Sequence, residues 1–190
     1  GGNTLAIGNG SYSSSYAGSL TGSGGLVVTG SNSTLELSGS NSYTGPTRIA
    51  AGTLRLSNPN ALAGSTLDLN AADTGVLSYG AISGTVNIGG LTGSRTFEVW
   101  SRPVAVGGNG QSTTFSGTLQ GYGTFIKQGA GTLTLSGSNT YNGFSSTFTG
   151  MVRIASGTLA LGHPTALAGA TLDMWSPGDT GSLGFSGTAP

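Results

Sequence analysis

Leu35-Glu36-Leu37-Ser38-Gly39-Ser40-Asn41-Ser42-Tyr43-Thr44-Gly45 returns 98 positions later as Leu133-Thr134-Leu135-Ser136-Gly137-Ser138-Asn139-Thr140-Tyr141-Asn142-Gly143. Each stretch has two leucines two residues apart, then small residues, then an Asn-x-Tyr-x-Gly run. Period-two alternation followed by turn formers is the pattern of a short strand closed by a tight turn. The correspondence extends outward. Arg48-Ile49-Ala50-Ala51-Gly52-Thr53-Leu54 matches Arg153-Ile154-Ala155-Ser156-Gly157-Thr158-Leu159, now at an offset of 105, and the seven extra residues lie in Phe144 to Gly150. Pro59 to Asp68 matches Pro164 to Asp173, and Asp73-Thr74-Gly75 matches Asp179-Thr180-Gly181. Upstream, Leu5, Ile7, Tyr16, Gly18, Leu20 and Gly22 fall on Val104, Val106, Phe115, Gly117, Leu119 and Gly121 at an offset of 99.

The chain is therefore nearly two copies of one unit. Residues 1–99 read as the first copy and 100–190 as a second copy that is incomplete at its C-terminal side, the two forming one continuous body. Ser186-Gly187-Thr188 matches Ser83-Gly84-Thr85, and nothing after it corresponds to Val86 through Trp100. The pattern reads as a window on a longer periodic array, or as a chain whose two ends meet those of neighbouring chains.

Within the unit a smaller motif, Thr-Leu-x-Leu or a close relative, begins at Thr4, Thr34, Thr53, Thr66, Thr132, Thr158 and Thr171. Strands this short do not build a large open sheet. They suit a β-solenoid, in which each turn stacks about 4.8 Å above the last and the apolar residues fill a central column. A β-sandwich also accommodates strands at this spacing. It leaves the two copies unexplained unless each is its own sandwich.

Composition agrees with an all-β chain. The 190 residues include 37 Gly and 53 Ser and Thr, and that much glycine would break helices repeatedly. Hydrophobic residues still make up 35% and are regularly placed, unlike in a disordered linker. One segment departs from this pattern. Asn58-Pro59-Asn60-Ala61-Leu62-Ala63-Gly64 has a cap residue, a proline at the first position, helix formers and a glycine stop. It predicts a helical turn at a corner, repeated at His163 to Gly169.

Gly129-Ala130-Gly131-Thr132-Leu133-Thr134-Leu135-Ser136-Gly137-Ser138-Asn139-Thr140-Tyr141-Asn142-Gly143, followed by Ile154-Ala155-Ser156-Gly157-Thr158-Leu159, resembles the autotransporter-associated β-strand repeat (passenger-associated transport repeat) of large bacterial surface proteins. The first copy departs from the family pattern at Ser31-Asn32-Ser33, where it carries one extra residue. The resemblance implies a right-handed parallel β-helix with short Gly/Asn turns. It also implies export to the outer-membrane surface of a bacterium or beyond, and roles in adhesion, secretion or passenger folding. It does not imply catalysis.

The search for chemistry gives little. Six basic and six acidic residues leave a net charge of zero, so there is no electrostatic footprint for nucleic acid. There is no cysteine, hence no disulfide framework or thiol nucleophile. No apolar run reaches the roughly 20 residues of a membrane span, and no N-terminal signal peptide is visible. The single histidine, His163, has Asn58 as its repeat counterpart, so no base is shared by both copies. Of the acids Glu36, Asp68, Asp73, Glu98, Asp173 and Asp179, Asp68 and Asp173 are equivalent and polar-facing. Asp73 and Asp179 precede Thr-Gly in turns, where a carboxylate can bond nearby backbone N–H groups. Equivalent acids fit a stacked scaffold better than the single facing pair a glycosidase needs. Gly107-Gly108-Asn109-Gly110 lacks the aspartate of calcium-binding solenoid repeats. No cofactor or metal site is indicated.

Tyr43/Tyr141 and Tyr16/Phe115 recur and read as packing positions, whereas Trp100, Phe144, Phe148 and Trp175 do not recur as aromatics. The copy-specific run Phe144, Ser145, Ser146, Thr147, Phe148 is the candidate interaction loop. The leading expectation is a non-enzymatic extracellular spacer or filament element, stacking head-to-tail on copies of itself or on adjacent repeats. Next comes an adhesin that binds glycan or protein through the 144–150 loop, and last a polysaccharide-active β-helix enzyme.

Overall fold

The computed structural model describes residues 2–8, 10–99, 102–139, 150–174 and 176–186. The described residues form nineteen short strands and no α-helix. All their pairings are parallel, and they wind into a β-solenoid of about eight turns. A first face stacks β1 (Thr4–Ile7), β3 (Gly25–Val28), β5 (Thr47–Ile49) and the C-terminal half of β7 (Leu62–Leu69). It continues through the C-terminal half of β9 (Val86–Gly93), β12 (Thr113–Phe115), β15 (Thr132–Leu135), β17 (Thr158–Leu161) and β19 (Ser182–Phe185). A second face stacks β2 (Ser14–Tyr16), β4 (Thr34–Leu37), β6 (Thr53–Leu56) and β8 (Val76–Tyr79), and separately β10 (Phe97–Val99) on β13 (Leu119–Gly121). A third runs from the N-terminal half of β9 through β11 (Val104–Val106), β14 (Thr124–Lys127) and β16 (Met151–Ile154) to β18 (Thr171–Asp173).

The Thr-Leu-x-Leu alternation places its leucines inside. Leu35, Leu37, Leu54, Leu56, Leu133 and Leu159 are all buried, in one continuous apolar cluster. The glycines before Thr53 and Thr158 are sterically obligatory. Gly52 has φ +73, and a Cβ there would sit 2.0 Å from the Gly30 carbonyl oxygen. Gly157 has φ +69, and its Cβ would lie 2.2 Å from the Gly129 carbonyl oxygen. Neither position has room for a side chain.

Asn41 and Asn139 explain the asparagine of the repeated turn. Asn41 Oδ1 accepts from the Leu20 N–H at 2.8 Å, and its Nδ2 donates to the Ala61 carbonyl at 2.9 Å. Asn139 does the same with Leu119 (2.7 Å) and Ala166 (2.8 Å). Both side chains are buried. Each ties its own turn of the solenoid to the turns before and after it, where the chain follows an irregular arc with no regular ladder.

The predicted helical turns are instead β-turns. Ala61 N–H donates to Asn58 O, and strand β7 begins at Leu62. The counterpart bond runs from Ala166 N–H to His163 O. Asn58 caps as expected, with its Oδ1 accepting from Asn60 N–H at 2.8 Å. A helix would have turned Ala61 and Leu62 away from the core in which both are buried, so burial overrides local propensity.

Repeat-equivalent residues do not share a face. Leu5 is on the first face and its counterpart Val104 on the third; Leu35 is on the second and Leu133 on the first. One copy thus advances the chain by four turns and two further faces, not by a whole number of turns. The two eight-residue strands, β7 and β9, bend across a corner together. Their register shifts between Leu62↔Ile88 and Thr66↔Gly90. Three residues of β7 there face Gly89, whose Cβ would lie 2.6 Å from the Gly64 carbonyl carbon.

Candidate functional site

The second face is interrupted. Strand β8 pairs with β6, and β10 pairs with β13, but no ladder joins β8 to β10. Between them lies a cleft of about 460 Å³. The connection into β8 is six residues long (70–75), and the one into β10 is three (94–96). The longer connection is clamped downward. Arg48, on β5, donates from Nε and Nη2 to the Asp73 carboxylate at 2.8 and 2.6 Å. This anchors the approach to β8 toward the preceding turn.

Leu69, Leu77, Tyr79 and Phe97 form the apolar wall of the cleft, and Ser94, Arg95, Thr96 and Glu98 the polar one. Arg95 spends one nitrogen on the fold, with Nη2 donating to the Gly75 carbonyl at 2.6 Å. Its Nη1 and the Tyr79 hydroxyl are both buried and find no hydrogen-bond partner among the described residues. Burial first, and the Glu98 charge second, push the Tyr79 phenol well above its ordinary value. It stays protonated and available as a donor.

Four of the acids singled out in the sequence, Glu36, Asp73, Asp173 and Asp179, are bonded to side chains of the fold, and Glu98 lines the cleft. Asp73 and Asp179, expected to bond nearby backbone N–H groups, pair with arginines one turn earlier. Arg153 donates to Asp179 at 2.9 and 2.7 Å, the counterpart of the Arg48–Asp73 pair. Arg153 holds the Asp179 carboxyl below the usual carboxylate range. The signal was present in the sequence, because Arg48 and Arg153 recur with their aspartates. Glu36 accepts from the Ser57 hydroxyl at 2.5 Å, and Asp173 from Ser176 at 2.9 Å. The His163 ring copies Asn58, with Nδ1 accepting from Thr165 N–H at 3.1 Å inside its turn. Tyr43 is buried and its hydroxyl bonds Thr47, which in turn bonds Ser65 at 2.7 Å. Phe115 is buried, whereas its counterpart Tyr16 is 40% exposed on a terminal turn. The loop Phe144 to Phe148, Tyr141, Trp100 and Trp175 lie outside the described residues. Sequence reasoning missed the cleft, since nothing local marks β8 and β10 as unpaired.

The passenger-associated-transport-repeat family matches residues 33–56 and 125–161. These segments hold β4 to β6 and β15 to β17, with the buried Asn41 and Asn139 inside them. The chain carries passenger-associated transport repeats. It is also 38% identical over 151 residues to the adhesin BmaC autotransporter of Brucella suis biovar 1 (strain 1330). That alignment covers 72% of this chain and 4% of the relative, so the chain spans a small part of that protein's length. No solved structure matches the chain. Neither transport-repeat match reaches the 69–98 segment that lines the cleft.

Proposed function

We propose that the chain is a non-enzymatic length of solenoid rod in the passenger of a bacterial autotransporter, secreted to the cell surface, with its terminal turns stacked on further turns of the same kind. The observation that carries this reading is the exposure of inward-facing apolar side chains on the terminal turns; Val76 and Met151, exposed mid-rod, stand at outward positions of β8 and β16. Leu5 and Tyr16 are exposed on the first turn, and Met174 and Phe185 on the last, with Phe185 at 81%. Their counterparts inside the rod are buried, as Phe115 is. A solenoid end with open strand edges and an apolar floor needs a covering turn. Those turns come from adjacent repeats or from another copy stacked head-to-tail, and a contact of this heterologous kind propagates.

The relative's name favours adhesion as the task that the rod serves. The partner would be a cell-surface or matrix glycan or protein, met through the 144–150 loop. Two measurements separate the readings. Sedimentation and negative-stain microscopy of the purified chain should show rods that lengthen with concentration, and Leu5→Asp with Phe185→Asp should reduce them to single short rods. Deleting residues 144–149 should leave rod formation intact and abolish surface binding. Isolated monomers at high concentration in the parent chain would refute end-to-end stacking.

A further inference from the structure

We propose that the cleft between β8 and β10 is a binding site for an extended peptide segment, which enters as the strand missing from the second face. Strand ladders are built from alternate residues. On β8 the N–H groups of Val76 and Gly80 point to β6, donating to Gly52 O and Leu56 O. The peptide groups of Leu77 and Tyr79 therefore point the other way, into the cleft. Across it, β10 is committed to β13 through Phe97 N–H, which donates to Thr118 O. An extended segment of three or four residues, roughly 10–13 Å long, matches the lengths of the two flanking strands.

The side chains fit the same occupant. Two buried donors, Arg95 Nη1 and the Tyr79 hydroxyl, have no acceptor among the described residues. Burying a donor without a partner costs about 1–3 kcal/mol, and peptide carbonyls would supply both acceptors. The remaining wall, Leu69, Leu77 and Phe97, accepts an inward apolar side chain as every other turn of this solenoid does. Recognition of this kind draws affinity from main-chain bonds and selectivity from alternate side chains. A sugar would also offer acceptors but would leave the β8 peptide groups unused. The site is independent of end-to-end stacking, because it lies mid-rod and outside both transport-repeat matches.

The test uses the full chain and a capped peptide with the sequence of its own strand, Gly-Thr-Leu-Thr-Leu-Ser (residues 131–136), followed by amide NMR titration and calorimetry. Shifts should concentrate at Leu77, Tyr79, Arg95 and Thr96. Tyr79→Phe, which removes one oxygen, should weaken binding about fivefold. N-methylation of the two leucines should abolish binding with the protein unaltered, so a folding defect cannot mimic the result. Equal binding of the N-methylated peptide, or no movement of cleft resonances at about 1 mM peptide, would overturn the proposal. So would cellohexaose shifting those resonances when the peptide does not.

Discussion

Gly30 and Gly129 occupy equivalent turns, and in each the glycine carbonyl is bonded by a side chain, yet the donors are unrelated. In the first copy Ser33 supplies both its N–H, at 3.1 Å, and its hydroxyl, at 2.9 Å. In the second copy the turn is one residue shorter, and Gly131 stands where Ser33 would be. Lys127 takes over. It occupies the place of Val28, buried like it, and its Nζ donates to Gly129 O at 2.9 Å, Gln128 O at 2.7 Å and Ser156 O at 3.1 Å. The alkyl stem fills the valine's volume while the ammonium reaches the turn. The shorter turn of the second copy thus goes with a charged residue in the core, because its glycine carbonyl still requires a donor.

Four measurements break or sharpen this comparison, and denaturant unfolding of the chain reads them all. The largest effect belongs to the asparagines that the copies share. Asn139→Ala orphans a buried N–H and a buried C=O and should cost about 2–4 kcal/mol. Asn41→Ala should cost about the same. Unequal costs would mean that the change of face between the copies alters what this turn contributes.

Lys127→Met comes next. It relieves a buried charge but strips three carbonyls of their donor, for a net loss of about 1–3 kcal/mol. Burial holds the Lys127 ammonium below its ordinary 10.5. Between that lowered value and 10.5 the unfolded chain binds more protons than the native one, so stability rises with pH across this window. Lys127→Met should lack that rise. A methionine variant as stable as the parent would show that the lysine is tolerated rather than required.

Ser33→Ala should cost less, about 1 kcal/mol, because the Ser33 N–H remains bonded to Gly30 O. A loss as large as that of Lys127→Met would dissolve the contrast between one donor and three. Smallest is Asp179→Asn, which removes the charge from the Arg153 pair. With the native carboxyl below the usual range, the pair's contribution is complete above about pH 3.9. It fades as pH falls through the lowered native value, so parent and variant should converge in acid. Persistent separation at low pH would assign the effect to packing.

Self-comparison of the sequence, with leucines at period two and turn formers after them, favoured a solenoid over a sandwich, and the family resemblance implied parallel strands, both of which the structure shows. These signals are local, and each turn contacts its neighbours in a repeating way. The paired aspartates were visible too, but their arginine partners lie 25 and 26 residues away, one full turn earlier. Local reading assigned them to the nearest backbone instead. The corner at Asn58 misled for a related reason, since capping chemistry is shared by helices and turns and burial of Ala61 and Leu62 decides between them.

The sequence by itself determined the strands, their inward leucines and the glycines that no side chain can replace. Each of these follows from alternation or from a steric clash within adjacent turns. Tertiary structure alone decided which face each strand joins, because that depends on the summed lengths of every turn before it. A copy that is not a whole number of turns long carries everything after it onward by two faces. The gap beside Tyr79 and Arg95 is likewise visible only in the tertiary structure, because no single stretch of residues encodes it.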